Sequence, residues 1–288
     1  MKPYLLYKAK DIEIDTINTL GIILGPYRNL TTLTASMLML HPNCQVLNHA
    51  GMRIFNWRML NFMKSPNRET LERFLRYAIY ISGRGQRGNY GGSITYSHAF
   101  QYNKMNELYA TRFGNNLIKD TIHSFVWKES LRIANFLREN NVNISNLTQK
   151  FPELRFIQPV RNPLDCAKSN LKTGKNRLFQ GLSEDSQEKA TVSAILDEYK
   201  WFLEIKCKNP EKYFYFMQYD FTKEMLINFA QFLEMEPDEK WINDSLDIYE
   251  MKSSYTHTPE LITHYRQEVE EIFHDYPDFA EELLRFVK

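Results

Sequence analysis

The chain has 288 residues, of which 43% are hydrophobic and 25% charged, with a formal net charge of +1. That composition fits a soluble globular protein with a sizeable core, and the charge balance leaves no global electrostatic case for nucleic acid or an anionic membrane surface. Three cysteines, Cys44, Cys166 and Cys207, show no paired spacing, which argues against a disulfide framework and for a reducing cytoplasm. Lys8, Lys10, Asp11 and Glu13 interrupt the N-terminal segment before a signal-peptide core could form. No run approaches the roughly eighteen apolar residues of a membrane span, so the expectation is a cytoplasmic protein.

Taken in chain order, the first predicted element is a strand over 20–24, followed by a tight turn and a helix over 32–40. The run GIILGPYRNLTTL therefore places a loop before a helix N-terminus, where backbone N–H groups and the helix dipole favour an anion. The phosphate loop of nucleotide hydrolases, a Gly, four residues, then Gly-Lys-Ser/Thr, fits poorly. Laid on Gly25, it puts Leu30 at its second glycine and Thr31 at its lysine. Without that lysine a kinase or ATPase reading is disfavoured. The loop reads either as an anion cradle led by Arg28 or as a surface turn capped by Thr31 or Thr32.

A helix follows over 67–81. SGRGQRGNYGGS, at 82–93, follows no strand and opens no helix, so it reads as a surface loop rather than a second phosphate loop. A very short strand is expected at 117–118 and a helix over 123–139. The next strand covers 154–160, after which Arg161 emerges, Pro163 presets a helix over 163–171 and Asp165 sits in its first turn. Ser169 lies eight residues beyond Arg161, about two helical turns on. Arg161 and Ser169 could converge on one phosphate, or Arg161 could pair with Asp165 as a structural bridge. Then come a helix over 188–206 whose apolar positions recur at helical spacing, making Trp201 core, a strand over 213–218, and helices over 223–234 and 259–273. Strands alternating with long helices predict an α/β fold with a central parallel sheet flanked by helices and ligands at the carboxyl ends of its strands.

Two segments together resemble the sulfotransferases that use 3′-phosphoadenosine 5′-phosphosulfate (PAPS). The family's first motif is a strand followed by Arg or Lys, Ser, Gly, Thr, Thr/Ser and Leu, then a helix and often His-Pro. Here Arg28, Asn29, Leu30, Thr31, Thr32 and Leu33 stand in that order, and His41-Pro42 follows. The second motif, Arg-Asn/Asp-Pro with a serine eight residues after the arginine, is met by Arg161, Asn162, Pro163 and Ser169. A looser echo is YFYFMQYDFTKEMLINFAQFLEM at 213–235, similar to the family's Tyr-Glu-Asp segment.

The resemblance implies a P-loop-like three-layer architecture in one domain spanning 1–288, with a mostly helical insertion at about 51–116 that sets acceptor specificity. It implies that residues 28–33 cradle the 5′-phosphosulfate and that Arg161 and Ser169 hold the 3′-phosphate, with no metal. Asn29 stands where serine is usual and is expected to donate to an anion in its place. Leu30 replaces a glycine, so either the loop is reshaped or nucleotide binding is weakened. His49, twenty-one residues after Arg28, has the spacing of the catalytic carboxylate in the tyrosylprotein branch and is the expected base, unless it is a capped loop residue. Lys119 matches the lysine of the family's Lys-Asp-Pro segment and would stabilise developing charge alongside Arg28; otherwise it is a solvated lysine. His123 is the alternative base. Ser253 and Ser254 match a late loop of hydroxyls over the nucleotide only loosely. The arginines of the insertion suit an acidic acceptor or a solvated helix face. The expected partner is a small-molecule, carbohydrate or peptide acceptor bearing a hydroxyl or amine, not nucleic acid or membrane. The competing readings are a catalytically idle nucleotide-binding relative and, further off, a small-molecule kinase.

Overall fold

The computed structural model describes residues 3–85, 88, 90–102, 104–249 and 255–287. Its centre is a six-stranded sheet: β1 (Thr19–Ile23), β2 (Cys44–Asn48), β3 (Gly92–Ser93), β4 (Ser124–Lys128), β5 (Leu154–Val160) and β6 (Tyr213–Met217), in the order β3-β2-β4-β1-β5-β6. All neighbours are parallel except the short edge strand β3, which runs antiparallel to β2. The predicted α/β class with a central parallel sheet is therefore the observed one.

Alternation along the strands explains the three layers. Leu20 and Ile22 of β1, Phe125 and Trp127 of β4, and Leu154 and Phe156 of β5 join one buried cluster with Phe74 and Ile133. Their neighbours Ile23, Val126 and Ile157 join another with Met37, Leu38 and Phe229 on the opposite face. Strands covered on both faces read as continuous apolar runs. Gly21 keeps the second face close: a Cβ there would lie 3.1 Å from Ile157 and Val126 and 3.3 Å from Leu233.

Several predicted elements differ. Residues 117–118 are not a strand, and the expected helix over 123–139 is strand β4 followed by a helix at Leu131–Glu139. SFVWK is buried at every position, so it shows no alternation, and the helix-periodic run after it absorbs it. The glycine stretch ends in β3, and Ser253, Ser254 and Arg87 lie outside the described residues. Between 51 and 116 the described residues form helices at Gly51–Asn56, Arg68–Ser82, His98–Tyr102 and Met105–Phe113 around β3.

Candidate active site

Register sets the site. Asn48, Lys128, Ile23 and Ile157 lie level across β2, β4, β1 and β5. The Thr31–Met39 helix after β1 packs on one face, and the Leu131–Glu139 helix after β4 sends Ile133 and Leu137 to the other. Crossovers that diverge in this way open a crevice at the carboxyl ends of the strands. Beyond Ile157, β5 runs three residues further, which carries Arg161 up beside the loop that follows β1.

On the β5 side that loop is tied down by buried polar groups. Asn29 is fully buried and donates its amide to the Pro159 carbonyl, while its Oδ1 accepts from Arg161 N at 2.9 Å and the Tyr199 hydroxyl at 2.7 Å. The Asn29 side chain is thus consumed in anchoring the loop to β5, which overturns its expected role as an anion donor. Arg161 Nη1 donates to the Arg28 carbonyl at 3.1 Å, and Arg28 Nε donates to Ser169 Oγ at 2.9 Å. Arg28, Arg161 and Ser169, from three segments, therefore meet in one cluster. The structural-bridge reading also holds in part, since Arg161 Nη2 stands 3.5 Å from Asp165 Oδ2 and His257 Nε2 lies 2.9 Å from Asp165 Oδ1.

Loop conformation fits an anion. Gly25, Arg28 and Leu30 all have positive φ, at 94°, 63° and 60°. Leu30 is the N-cap of the Thr31–Met39 helix in a left-handed conformation, with no side-chain cap and no acidic residue in the first turn. The loop is therefore not reshaped at Leu30: the residue adopts the conformation a glycine would, at about 1–2 kcal/mol of strain. Leu30 and Thr32 are half-buried, and Leu33 packs against the core on the face of its own helix. Thr31 is buried, its Oγ1 accepting from Ser130 Oγ at 2.9 Å. Uncapped helix N–H groups with left-handed residues before them form an anion-binding concavity.

On the β2 and β4 side, His49 and Ala50 both have positive φ, 65° and 84°. His49 is held by its backbone: its N–H donates to the Lys128 carbonyl at 2.8 Å and its carbonyl accepts from Trp127 Nε1 at 2.6 Å. Its Nδ1 faces the buried Glu129 Oε1 at 3.6 Å. Burial lowers the imidazole's pKa below its ordinary 6.5, and the facing Glu129 carboxylate opposes that. Lys128, buried at the end of β4, is level with Ile23 at the end of β1 and with Asn48, the neighbour of His49. Sequence reasoning missed Lys128, Glu129 and Ser130. The available signal was an apolar triplet, Phe125-Val126-Trp127, ending abruptly in Lys-Glu-Ser.

Two expected participants are elsewhere. Lys119 N donates to Gln45 Oε1 at 3.1 Å, near the start of β2; Gln45 is four residues from His49, about 13 Å of extended strand. Its Nζ lies 2.8 Å from the centroid of Phe113 and 4.5 Å from that of Tyr109, with no hydrogen-bond acceptor among the described residues. Burial pushes the Lys119 pKa down to about 6. His123 N donates to the Asn43 carbonyl, just before β2 and β4 begin. Both belong to the amino-terminal edge of the sheet, so neither the catalytic role of Lys119 nor His123 as alternative base stands. Of the arginines between residues 51 and 116, Arg68 and Arg76 pair with Glu72, and Arg73 with Glu69, a solvated helix face.

No family model and no curated protein matches the chain. Among solved structures, mouse sulfotransferase SULT7A1 complexed with PAP shares 12% identity, covering 98% of this chain and 92% of that one, with a TM-score of 0.46. Sulfotransferase STF9 from Mycobacterium avium shares 13%, covering 95% and 79%, at 0.46. A sulfotransferase from Alicyclobacillus acidocaldarius shares 12%, covering 89% and 94%, at 0.43. At these values the likeness assigns chemistry to no side chain.

Proposed function

We propose that the chain is a PAPS-dependent sulfotransferase acting on a hydroxyl or amine acceptor. The observation that carries the reading is the meeting of Arg28, Arg161 and Ser169 beside an uncapped helix N-terminus at the carboxyl ends of β1 and β5. Two guanidiniums, a hydroxyl and helix N–H groups suit a nucleotide with phosphate at both ends. In this reading Arg161 and Ser169 hold the 3′-phosphate, and the 28–33 backbone with the Thr31 and Thr32 region holds the 5′-phosphosulfate. PAPS supplies an activated sulfuryl group, so transfer calls for in-line placement and charge stabilisation rather than covalent help.

His49 takes the acceptor's proton as the acceptor oxygen bonds to sulfur and the bond from sulfur to the 5′-phosphate oxygen breaks. The products are a sulfate ester, 3′-phosphoadenosine 5′-phosphate (PAP) and a proton on the imidazole. Lys128 takes the place first given to Lys119, steadying with Arg28 the charge on the transferred group and the leaving phosphate. We place acceptor choice, whether small molecule, carbohydrate or peptide, in the 51–116 segment of a single domain. Three free thiols favour a cytoplasmic setting, and no helix of the described residues is long and apolar enough to cross a membrane.

A second reading, nucleotide binding without turnover, is favoured by the half-buried Leu30 side chain, which occupies a position where glycine would let a ligand approach. Calorimetric titration with PAP, ADP and magnesium ATP, followed by a PAPS turnover assay over an acceptor panel, tests both. The sulfotransferase reading expects PAP to bind tightest and turnover with at least one acceptor. ATP binding in preference to PAP would overturn it.

A further inference from the structure

The turn that presents His49 is strained, and a single buried carboxylate closes it. Two consecutive non-glycine residues, His49 and Ala50, hold left-handed backbone, a conformation that persists only where the surroundings enforce it. The next residue, Gly51, donates its N–H to Glu129 Oε2 at 2.8 Å. A Cβ on Gly51 would lie 2.8 Å from Phe55 Cε2 and 2.9 Å from Glu129 Cδ, so glycine there leaves room for both the ring and the carboxylate. Gly91 plays the same part from the other side: a Cβ on it would lie 2.9 Å from the Ala50 backbone.

Glu129 is fully buried, and a buried carboxylate needs partners. One oxygen has the Gly51 N–H. The other, Oε1, makes no hydrogen bond and stands 3.6 Å from both His49 Nδ1 and Arg132 Nη1. An imidazole and a guanidinium are thus poised just outside hydrogen-bond distance, a spacing that can tighten when a ligand binds. The groups facing the imidazole are Glu129, Lys128 and Arg132, from β4 and the turn and helix after it. From the loop after β1, the Tyr27 phenol faces the same carboxylate and guanidinium.

We propose that Glu129 is a positioning residue for His49: its carboxylate keeps the proton on Nδ1, so that Nε2 is the atom that accepts the substrate's proton. This rests on the sulfotransferase reading for its reaction, but not for its geometry. The proton from the acceptor hydroxyl goes to Nε2, and the imidazolium formed is stabilised by the facing carboxylate. Arg132 opposes this effect by drawing on the same Oε1, which sets how basic His49 becomes.

The test is an imidazole NMR titration of the full chain, with the His49 resonance assigned by its loss in His49→Ala. In Glu129→Gln, which keeps shape and the Gly51 contact, the His49 pKa should fall by about one pH unit. Glu129→Asp should recover part of that, and Arg132→Met, at a half-exposed site, should move it upward. The acid limb of PAPS turnover should move to lower pH in Glu129→Gln, in step with the titration. An unchanged His49 pKa in folded Glu129→Gln overturns the proposal. So does loss of turnover without a change in that titration, which would make Glu129 the base itself. Should Glu129→Gln not fold, an unmoved pKa in Arg132→Met is the overturning result. PAP binding to the wild-type chain is measured alongside: its absence would defeat the sulfotransferase reading while leaving the His49 titration to decide the coupling.

Discussion

The two edges of the sheet carry similar side chains and use them in opposite ways. At the amino-terminal edge, His41 Nε2 meets the Glu236 carbonyl at 3.0 Å, Arg112 bridges Asp238, Asp244 and the Leu40 carbonyl, and Lys119 is closed in by two aromatic rings. Positive φ outside glycine is sparser there, as at Glu234, whose neighbour Leu233 accepts from Thr19 at the start of β1. At the carboxyl edge, Arg28, Leu30, His49, Ala50 and Ser130 all have positive φ, and charged groups gather there, Arg161 on the Arg28 carbonyl and Glu129 facing Arg132. Strain and converging charge together support placing the proposed site at the carboxyl edge, whereas the residue types alone do not.

The largest expected break in that comparison comes from exchanging bases and cations between edges. His49→Ala should cut turnover by about 10²- to 10⁴-fold with PAP affinity nearly unchanged, since the base touches the acceptor and not the adenosine. Lys119→Met, at the other edge, should leave turnover within about twofold in the folded protein; this contrasts with the roughly 10²-fold or greater loss expected where a transition-state donor is removed. With burial lowering the imidazole's pKa, the rate should fall as pH drops through a value below 6.5, measured as a pH profile of kcat/KM.

Arg161→Ala comes next. It removes a charge-assisted contact and should weaken PAP binding by about 2–4 kcal/mol, read by calorimetry. Part of the loss would arise because Arg161 also braces the Arg28 carbonyl.

Lys119 sharpens the other side of the comparison. Its folded pKa, about 6, is far below its ordinary 10.5, so between those values the unfolded chain binds more protons. Stability should therefore rise with pH across that window, by at most about 1.4 kcal/mol per pH unit, and reach its full value only above the unfolded pKa. The rings of Phe113 and Tyr109 favour the ammonium by about 2 kcal/mol and reduce the effect without reversing it, because burying an unaccepted charge costs more. Urea unfolding at several pH values should show the slope in wild type and its loss in Lys119→Met.

Leu30→Gly is the smallest change. Leu30 lies outside the buried core, so relief of left-handed strain should offset the lost side chain and the extra chain entropy of glycine. The net stability change should stay within about 1 kcal/mol, with PAP binding tighter. Destabilisation by about 2 kcal/mol or more would mean that Leu30 packs as core does.

Much of the proposed anion site was legible because its signals are local. Leu154 to Val160 forms the strand expected to the residue, and Pro163 and Asp165 open the helix where the turn chemistry puts it. The half proposed to be catalytic was legible only at His49. β2 and β4 are buried on both faces and so lack any period, and the helix pattern after Ser130 hides the point where β4 ends. Lys119 misled because a lysine after a short apolar pair reads as the carboxyl end of a strand; its hydrogen bond to Gln45, near the start of β2, places it at the other end of the sheet. Asn29 misled for a different reason: an amide can serve an anion or a neighbouring backbone, and the Tyr199 hydroxyl that claims it lies 170 residues away.

The most direct measurement is the melting temperature of wild type, Arg161→Ala and Lys119→Met with and without PAP, beside ADP and magnesium ATP. A ligand that binds only the folded state raises the melting temperature by mass action, by about 2.7 kcal/mol of stability at a hundredfold excess over Kd. PAP should raise it in wild type and in Lys119→Met, more than ADP or magnesium ATP does, and should lose most of its effect in Arg161→Ala. Stabilisation by PAP that survives in Arg161→Ala and disappears in Lys119→Met would put the site at the wrong edge of the sheet.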